Sequence, residues 1–244
     1  MDESSKERNL LQTPFWKHLT EKERDMIFQQ SHIKLFKKGQ LISSSDSSCM
    51  GIVFVIKGGI RVSLLSDEGR EITLYRLSED ECCVTTASCV IQQITFDTVV
   101  SASEETKLLV IPALVCSQLS KSNIYFRAFI YETETERFSQ AIWVIQELLF
   151  KRFDQRLSAY LLAEYERTGN ADLHLTQEEI ARNVNSAREV VARMLRHFIS
   201  EGFVEVKRGH ILLKDIDEVY PKVRTKKSNL KSRSKIRGIM FLLY

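Results

Sequence analysis

Apolar and polar positions divide this chain into stretches of different period. Residues Phe15 to Gln30 read as a small helix, with Thr20 and Glu23 spaced as a capping box ahead of Met26 and Ile27. From Ile33 to Ile111 the apolar stretches become short and are separated by the turn signals KKGQ, SSSDSS, KGG, SDEGRE and LSEDE, the texture of a small antiparallel β-barrel or roll. Its clearest part is IVFVIKGGIRVSLLSDEGREITLYRL, with one reversal expected at Gly58 and Gly59 and another around Asp67 to Arg70. From about Ile124 to Phe150 a long helix follows, in which Ile124, Tyr131, Phe138 and Ile145 recur every seven residues, with Ala141 and Leu148 at the companion positions. Glu134 interrupts that seam, and packing of Phe126, Phe129 and Ile130 against the β region is the competing use of the helix. The pattern breaks at Phe150 to Phe153, where a hinge is expected. Asp154 is then placed to cap a helix that runs to Gly169.

The stretch from Leu175 to Leu213, LTQEEIARNVNSAREVVARMLRHFISEGFVEVKRGHILL, carries the most information. Thr176 and Glu179 form a second capping box, and Ile180, Ala181 and Val184 give the helix an apolar face. Asn185 tolerates the left-handed conformation of a sharp turn, and Ser186 is expected to cap the next helix. There Val191, Met194, Leu195 and Phe198 fall at i, i+3, i+4 and i+7, with Glu189, Arg193 and Arg196 opposite and Arg188 beside them. Gly202 ends that helix, and FVEV, a KRG turn and ILL make a hairpin tipped by Lys207 and Arg208. Two short helices, a tight turn and such a hairpin describe a winged helix-turn-helix. An amphipathic helix with arginines outside can be merely solvated, but in this context its guanidinium forks suit the acceptor pair on a guanine edge.

Composition supports folded cores: 43% of the 244 residues are hydrophobic and three are proline, enough for two domains with connecting elements. No apolar run reaches the roughly 20 residues that span a bilayer, and MDESSKERNL lacks a signal-peptide core, so the expected location is cytoplasmic. Five cysteines, an odd number, argue against a secreted disulfide framework. The formal charge of +3 resides in the tail: from Pro221 onward there are eight Lys or Arg and no acid, which leaves the rest of the chain net acidic. The helix-turn-helix segment is itself not net basic, so its phosphate contacts must come from few, well-placed cations and from a second subunit.

Taken in order, a β-roll, a long helix, a further helix after a break and a C-terminal winged helix-turn-helix resemble the Crp/Fnr family of bacterial transcription regulators, over about Phe15 to Tyr220. LTQEEIAR, SAREVVARML and EGFVEVKRGHILLKD carry the resemblance. It implies an α+β fold with an N-terminal cyclic-nucleotide-binding-like β-roll as sensor at 1–123, a dimerisation helix and hinge at 124–152, the winged helix-turn-helix at 153–221 and a basic tail at 222–244. It further implies a homodimer on a two-fold symmetric double-stranded DNA operator, with RNA polymerase as a further partner; the apolar runs point to no membrane association, and with no Walker loop, nucleophile elbow or HExxH motif no enzymatic activity is expected. Arg188, Glu189 and Arg193 occupy the family's base-reading positions, and Thr176, Gln177, Ser186, Lys207 and Arg208 complete the expected DNA-contact set. Asn185 stands where a Gly is frequent, and Ala187 where a phosphate-contacting Ser is common. The basic tail reads either as a disordered end or as extra phosphate contact and self-association through IMFLLY.

The sensory half departs further from the family. Where cyclic-nucleotide-binding members have a Gly-Glu-Leu cassette followed by Arg and Ser or Thr, this chain reads EDECCVTTASCVIQQITFDTVV, with no basic residue between Arg76 and Lys107. An anionic nucleotide would meet no guanidinium there, which argues against cyclic AMP. No cysteine precedes Cys49, which argues against an N-terminal iron–sulfur centre. Cys82, Cys83 and Cys89 read either as a thiol sensor or as small polarizable core residues, and neighbours on a strand point to opposite faces. A haem-sensing member has a Cys ligand in a similar place, but its accompanying His is absent, with Thr85 near that position. The cysteines also lack the paired spacing and nearby His of a zinc site. The histidines are scattered, none at a catalytic spacing, so no metal site and no cofactor is assigned. Two further readings stay open: a ligand-binding signalling module whose helix-turn-helix serves protein contact, and a metal- or haem-loaded redox sensor.

Overall fold

The computed structural model describes residues 2–44, 49–66, 69, 71–87 and 98–214. Cys89, most of the Asp67–Arg70 reversal and the basic tail at 222–244 lie outside the described residues. The chain divides into two compact units, residues 1–70 with 74–141, and residues 71–73 with 142–244. No helix among the described residues is long and apolar enough to cross a membrane.

The first unit holds helices α1 (Asp2–Leu11), α2 (Glu21–Gln30) and α3 (Ala113–Ser122), the first half of α4 (Ile124–Phe150), and a β-roll. The roll comprises β1 (His32–Phe36), β2 (Leu41–Ser44), β3 (Gly51–Lys57), β4 (Ile60–Leu65), most of β5 (Glu71–Leu77), β6 (Cys82–Cys83), β7 (Thr98–Ala102) and β8 (Thr106–Pro112). One sheet has the order β1-β8-β3-β6 and the other β2-β7-β4-β5, each of four strands. The continuous apolar runs of β3 and β8 follow from burial on both faces. Ile52, Phe54, Leu109 and Ile111 face a core shared with α2, α3 and α4, while Val53, Val55, Leu108 and Val110 face the interior of the roll.

The reversal expected at Gly58 and Gly59 is present, with Gly58 at φ +84°, but it makes no hairpin. It carries the chain from β3 in one sheet to β4 in the other, and within its own sheet β3 is flanked by β8 and β6. At the start of β3, Gly51 has φ +105°, and a Cβ there would lie 2.0 Å from the Ile111 carbonyl oxygen.

The second unit contains the rest of α4, then α5 (Phe153–Thr168), β9 (Asp172–Leu173), α6 (Gln177–Asn183), α7 (Arg188–Ser200), β10 (Val204–Lys207) and β11 (His210–Leu213). Arg152, at φ −67° and ψ 155°, is the extended residue that separates α4 from α5. It is also the N-cap of α5, so Asp154 does not cap that helix as expected but sits in its first turn, where its charge meets the positive end of the helix dipole. The backbone N–H of Arg152 donates to the Gln155 side chain instead. Gly169 closes α5 in the left-handed conformation, φ +67°. Leu157, Tyr160, Leu161, Ile180, Val191, Leu195, Phe198, Ile211 and Leu213 are among the residues of one buried core, so helices and wing form a single packed body.

Candidate nucleic-acid interface

Helix α6 begins as its residues predict. Thr176 Oγ1 accepts a bond from the Glu179 N–H at 3.2 Å, and the Glu179 carboxylate accepts the Thr176 N–H at 2.9 Å. Gln177 is the first helical residue. The turn is held by Asn185 at φ +51° and by a bond from the Ser186 N–H to the Ala181 carbonyl at 2.9 Å. Ser186 does not cap the second helix, as expected; Ala187 occupies the N-cap and offers no side-chain acceptor. The extra residue is needed because Ser186 still belongs to the turn that closes on α6. Two residues that pattern reading passed over position this turn. Arg156 Nη1 donates to the Val184 carbonyl at 2.9 Å, and Asn183 Nδ2 donates to the Tyr160 hydroxyl at 2.6 Å. Their signal was the i, i+4 spacing of Arg156 and Tyr160 on α5.

Helix α7 buries Val191, Leu195 and Phe198. Arg188, Glu189, Arg193 and Arg196 are all exposed. At about 100° per residue they span an arc of about 140° on the outer face. None of the four makes a hydrogen bond or ion pair with another described residue. Their charged ends are therefore available to an external partner. The wing turns through Arg208 and Gly209, the latter at φ +77°, between the paired Lys207 and His210. Lys207 Nζ lies 3.2 Å from Glu205, which Lys214 also contacts at 2.9 Å. Hydrogen bonds from Lys214 and Lys207 hold the Glu205 carboxyl below its ordinary range. At the tip, Arg208 is the cation with no such partner among the described residues.

The histidines that look scattered along the chain are not all apart in space. His174 and His210 have ring centroids 4.3 Å apart, and His210 Nδ1 is 3.4 Å from the Asp172 carboxylate. The signal that could have joined them is the i, i+2 pair Asp172 and His174. It went unread because the two-residue strand β9 is too short to show in a hydrophobic pattern.

In the roll, Cys82 packs on the core shared with the helices and Cys83 on the interior core, the opposite orientations that adjacent strand residues require. Burial pushes the Cys82 thiol up to about 12 and the Cys83 thiol up to about 11. Close by, the Tyr75 hydroxyl and Thr85 Oγ1 are 2.6 Å apart, and Thr85 Oγ1 donates to Glu134 at 3.2 Å. Burial raises the Glu134 carboxyl, against the opposing influence of Thr85 and Arg137. Arg137, 5% exposed, pairs with Glu81 at 3.3 Å and lies over the Tyr75 ring. The sequence window around the cysteines holds no guanidinium, yet the fold brings this one from α4, already engaged with Glu81.

A model of the Crp-like helix-turn-helix domain matches residues 155–219. A structure described as a Crp/Fnr-family transcriptional regulator from Eubacterium rectale is 35% identical, with a TM-score of 0.82, and the match covers 87% of this chain and 99% of that one. A Crp/Fnr-family regulator from Thermus thermophilus shares the fold at 20% identity, TM-score 0.62, over 80% of this chain and 100% of the other. The c-di-GMP-responsive global regulator CLP of Xanthomonas campestris does so at 16% identity, TM-score 0.66, again over 80% and 100%. No curated protein matches.

Proposed function

Since this chain belongs to the Crp/Fnr family of transcription regulators, we propose that it binds a two-fold symmetric DNA operator as a homodimer, with α7 of each subunit in a major groove. The observation that carries this reading is the exposed arc of Arg188, Glu189 and Arg193 on α7, free of bonds to other described residues. Arg188 and Arg193 suit the O6 and N7 acceptors of guanine, and Glu189 suits the amino group of cytosine. Thr176, Gln177 and Ser186 at the start of α6 and in the turn, with Lys207 and Arg208 on the wing, serve the phosphates.

Dimerisation is assigned to α4. Ile124, Tyr131, Phe138 and Ile145 remain exposed along it, while Phe126 and Ile130 are buried in the first core. Burial of Phe126 and Ile130 beside exposure of the heptad positions supports both uses that its sequence allowed. The roll is the sensory element, and the break at Lys151 and Arg152 is where a signal would change the setting of the DNA-binding helices. Cys82 and Cys83, buried and held as thiols, favour a packing role over direct thiolate chemistry. Selection of bound fragments from random duplex DNA tests the proposal. A palindrome with half-sites about 34 Å apart is expected; recovery of sequences with no common symmetric motif would refute it.

A further inference from the structure

We propose that Asp172, His174 and His210 form a binding site for a divalent transition metal of the zinc class on the sheet of the winged domain. The backbone sets up the cluster. Strand β9 pairs antiparallel with β11 in the register Asp172↔Leu212 and Leu173↔Ile211; His174 follows directly after the strand, and its ring centroid lies 4.3 Å from that of His210. Side chains of directly opposed residues share a face, and residues two apart on a strand share it too. Asp172, His174, His210 and Leu212 therefore project from one face, while Leu173 and Ile211 turn into the core, where they are 2% and 1% exposed.

The donor set suits such an ion. Each residue offers one ligand atom, and the three atoms lie within 4.8 Å of one another. Two ligands bonded at about 2.0 to 2.1 Å in tetrahedral geometry stand about 3.3 to 3.4 Å apart. The separation of His210 Nδ1 and Asp172 Oδ1 is 3.4 Å, so that edge of the polyhedron needs no rearrangement. His174 is exposed, and its ligand atom already lies within 4.8 Å of the other two. The three protein ligands would leave a fourth position for water or an external donor. An ordinary ion pair would account for Asp172 with His210, but not for a second imidazole beside the first. Two neutral imidazoles and a carboxylate leave a bound divalent ion with a net charge of +1, next to the wing tip at Arg208. The metal would also clip β9 to β11, joining the short third strand to the hairpin.

Titration of the metal-free full-length chain with Co2+, a spectroscopic stand-in for Zn2+, tests the site. One equivalent per chain is expected, with the absorption of nitrogen and oxygen ligation and no thiolate charge-transfer band. His174→Ala and His210→Ala should each weaken binding at least tenfold, whereas His32→Ala, an exposed histidine on β1, should leave it unchanged. Zn2+ should raise the melting temperature of the wild-type chain but not of His210→Ala, and circular dichroism of each metal-free variant checks that it folds. Absence of binding by wild-type chain, equal affinity in the His174 and His210 variants, or a thiolate band would overturn the assignment.

Discussion

Arg193 lies on the outer arc of α7, exposed and without a bond to another described residue, so replacing it disturbs no internal contact. If it reads a base, Arg193→Ala costs about 1 to 3 kcal/mol of specific binding, a loss of roughly 5- to 150-fold, with little change in folding. Lys207 contributes differently. It shares Glu205 in the free chain, and Lys207→Ala is expected to weaken binding to all sequences alike and to reduce the salt slope by about one. Titration of anisotropy against salt measures both.

Glu134 is a half-buried acid whose carboxyl is raised by desolvation more than Thr85 and Arg137 lower it. A folded-state value above the unfolded one means that the native state holds the proton more tightly. Its contribution to stability is therefore full below the unfolded pKa and is lost as pH rises through the folded value. Glu134→Gln should raise the melting temperature at neutral pH, and the gain should vanish in acid; a gain that grew in acid would reverse the assignment. Cys82, at about 12, presents about one thiolate in 10⁵ at pH 7, so a thiol reagent should label it only after denaturation. Rapid labelling of the native chain at Cys82 would restore the sensor reading that its sequence position invited.

Helix α4 carries two apolar stripes with different destinations. Phe138 is 64% exposed, and Phe138→Glu should leave the fold intact while shifting the chain from dimer to monomer in sedimentation, with DNA affinity falling in step. A dimer unaffected by this change would move the interface elsewhere. Much of the element order was legible from local signals at helix ends, but α1 and α3 went unread, and α3 starts after Pro112 with no side-chain cap to mark it. The capping boxes at Thr20 and Thr176 and the positive φ of Asn185 stand where their side-chain chemistry put them, and the left-handed Gly169 where the lack of a Cβ permits it. The misplaced caps at Asp154 and Ser186 arose because a polar residue near a helix start suits the cap, the first turn or the preceding turn equally well; Asp154 took the first turn and Ser186 the preceding one. Strand pairing was less legible. The runs IVFV and LLVI mark strands, but their pairing as β3 and β8 across some fifty residues leaves no local trace, and it turns the Gly58–Gly59 reversal into a crossing between sheets.

For the whole molecule, charge distribution and fold lead to the same conclusion. The chain outside its basic tail is net acidic, so one winged domain presents few cations to DNA. Under the proposed function, specific affinity comes from a few placed arginines, doubled by a second subunit, rather than from a broad basic surface. The exposed arc of Arg188, Glu189, Arg193 and Arg196 was visible in sequence, whereas the supports from Arg156 and Tyr160 and the cluster of Asp172, His174 and His210 depend on contacts between separate elements. The most direct measurement compares wild-type and Arg193→Ala chains on the selected palindrome and on random duplex at one fixed salt concentration. Wild type should prefer the palindrome strongly, and Arg193→Ala should lose roughly 5- to 150-fold on the palindrome while binding random duplex almost as before. Equal affinity of wild type for the two duplexes, or equal binding of the palindrome by both chains, would contradict DNA reading by α7.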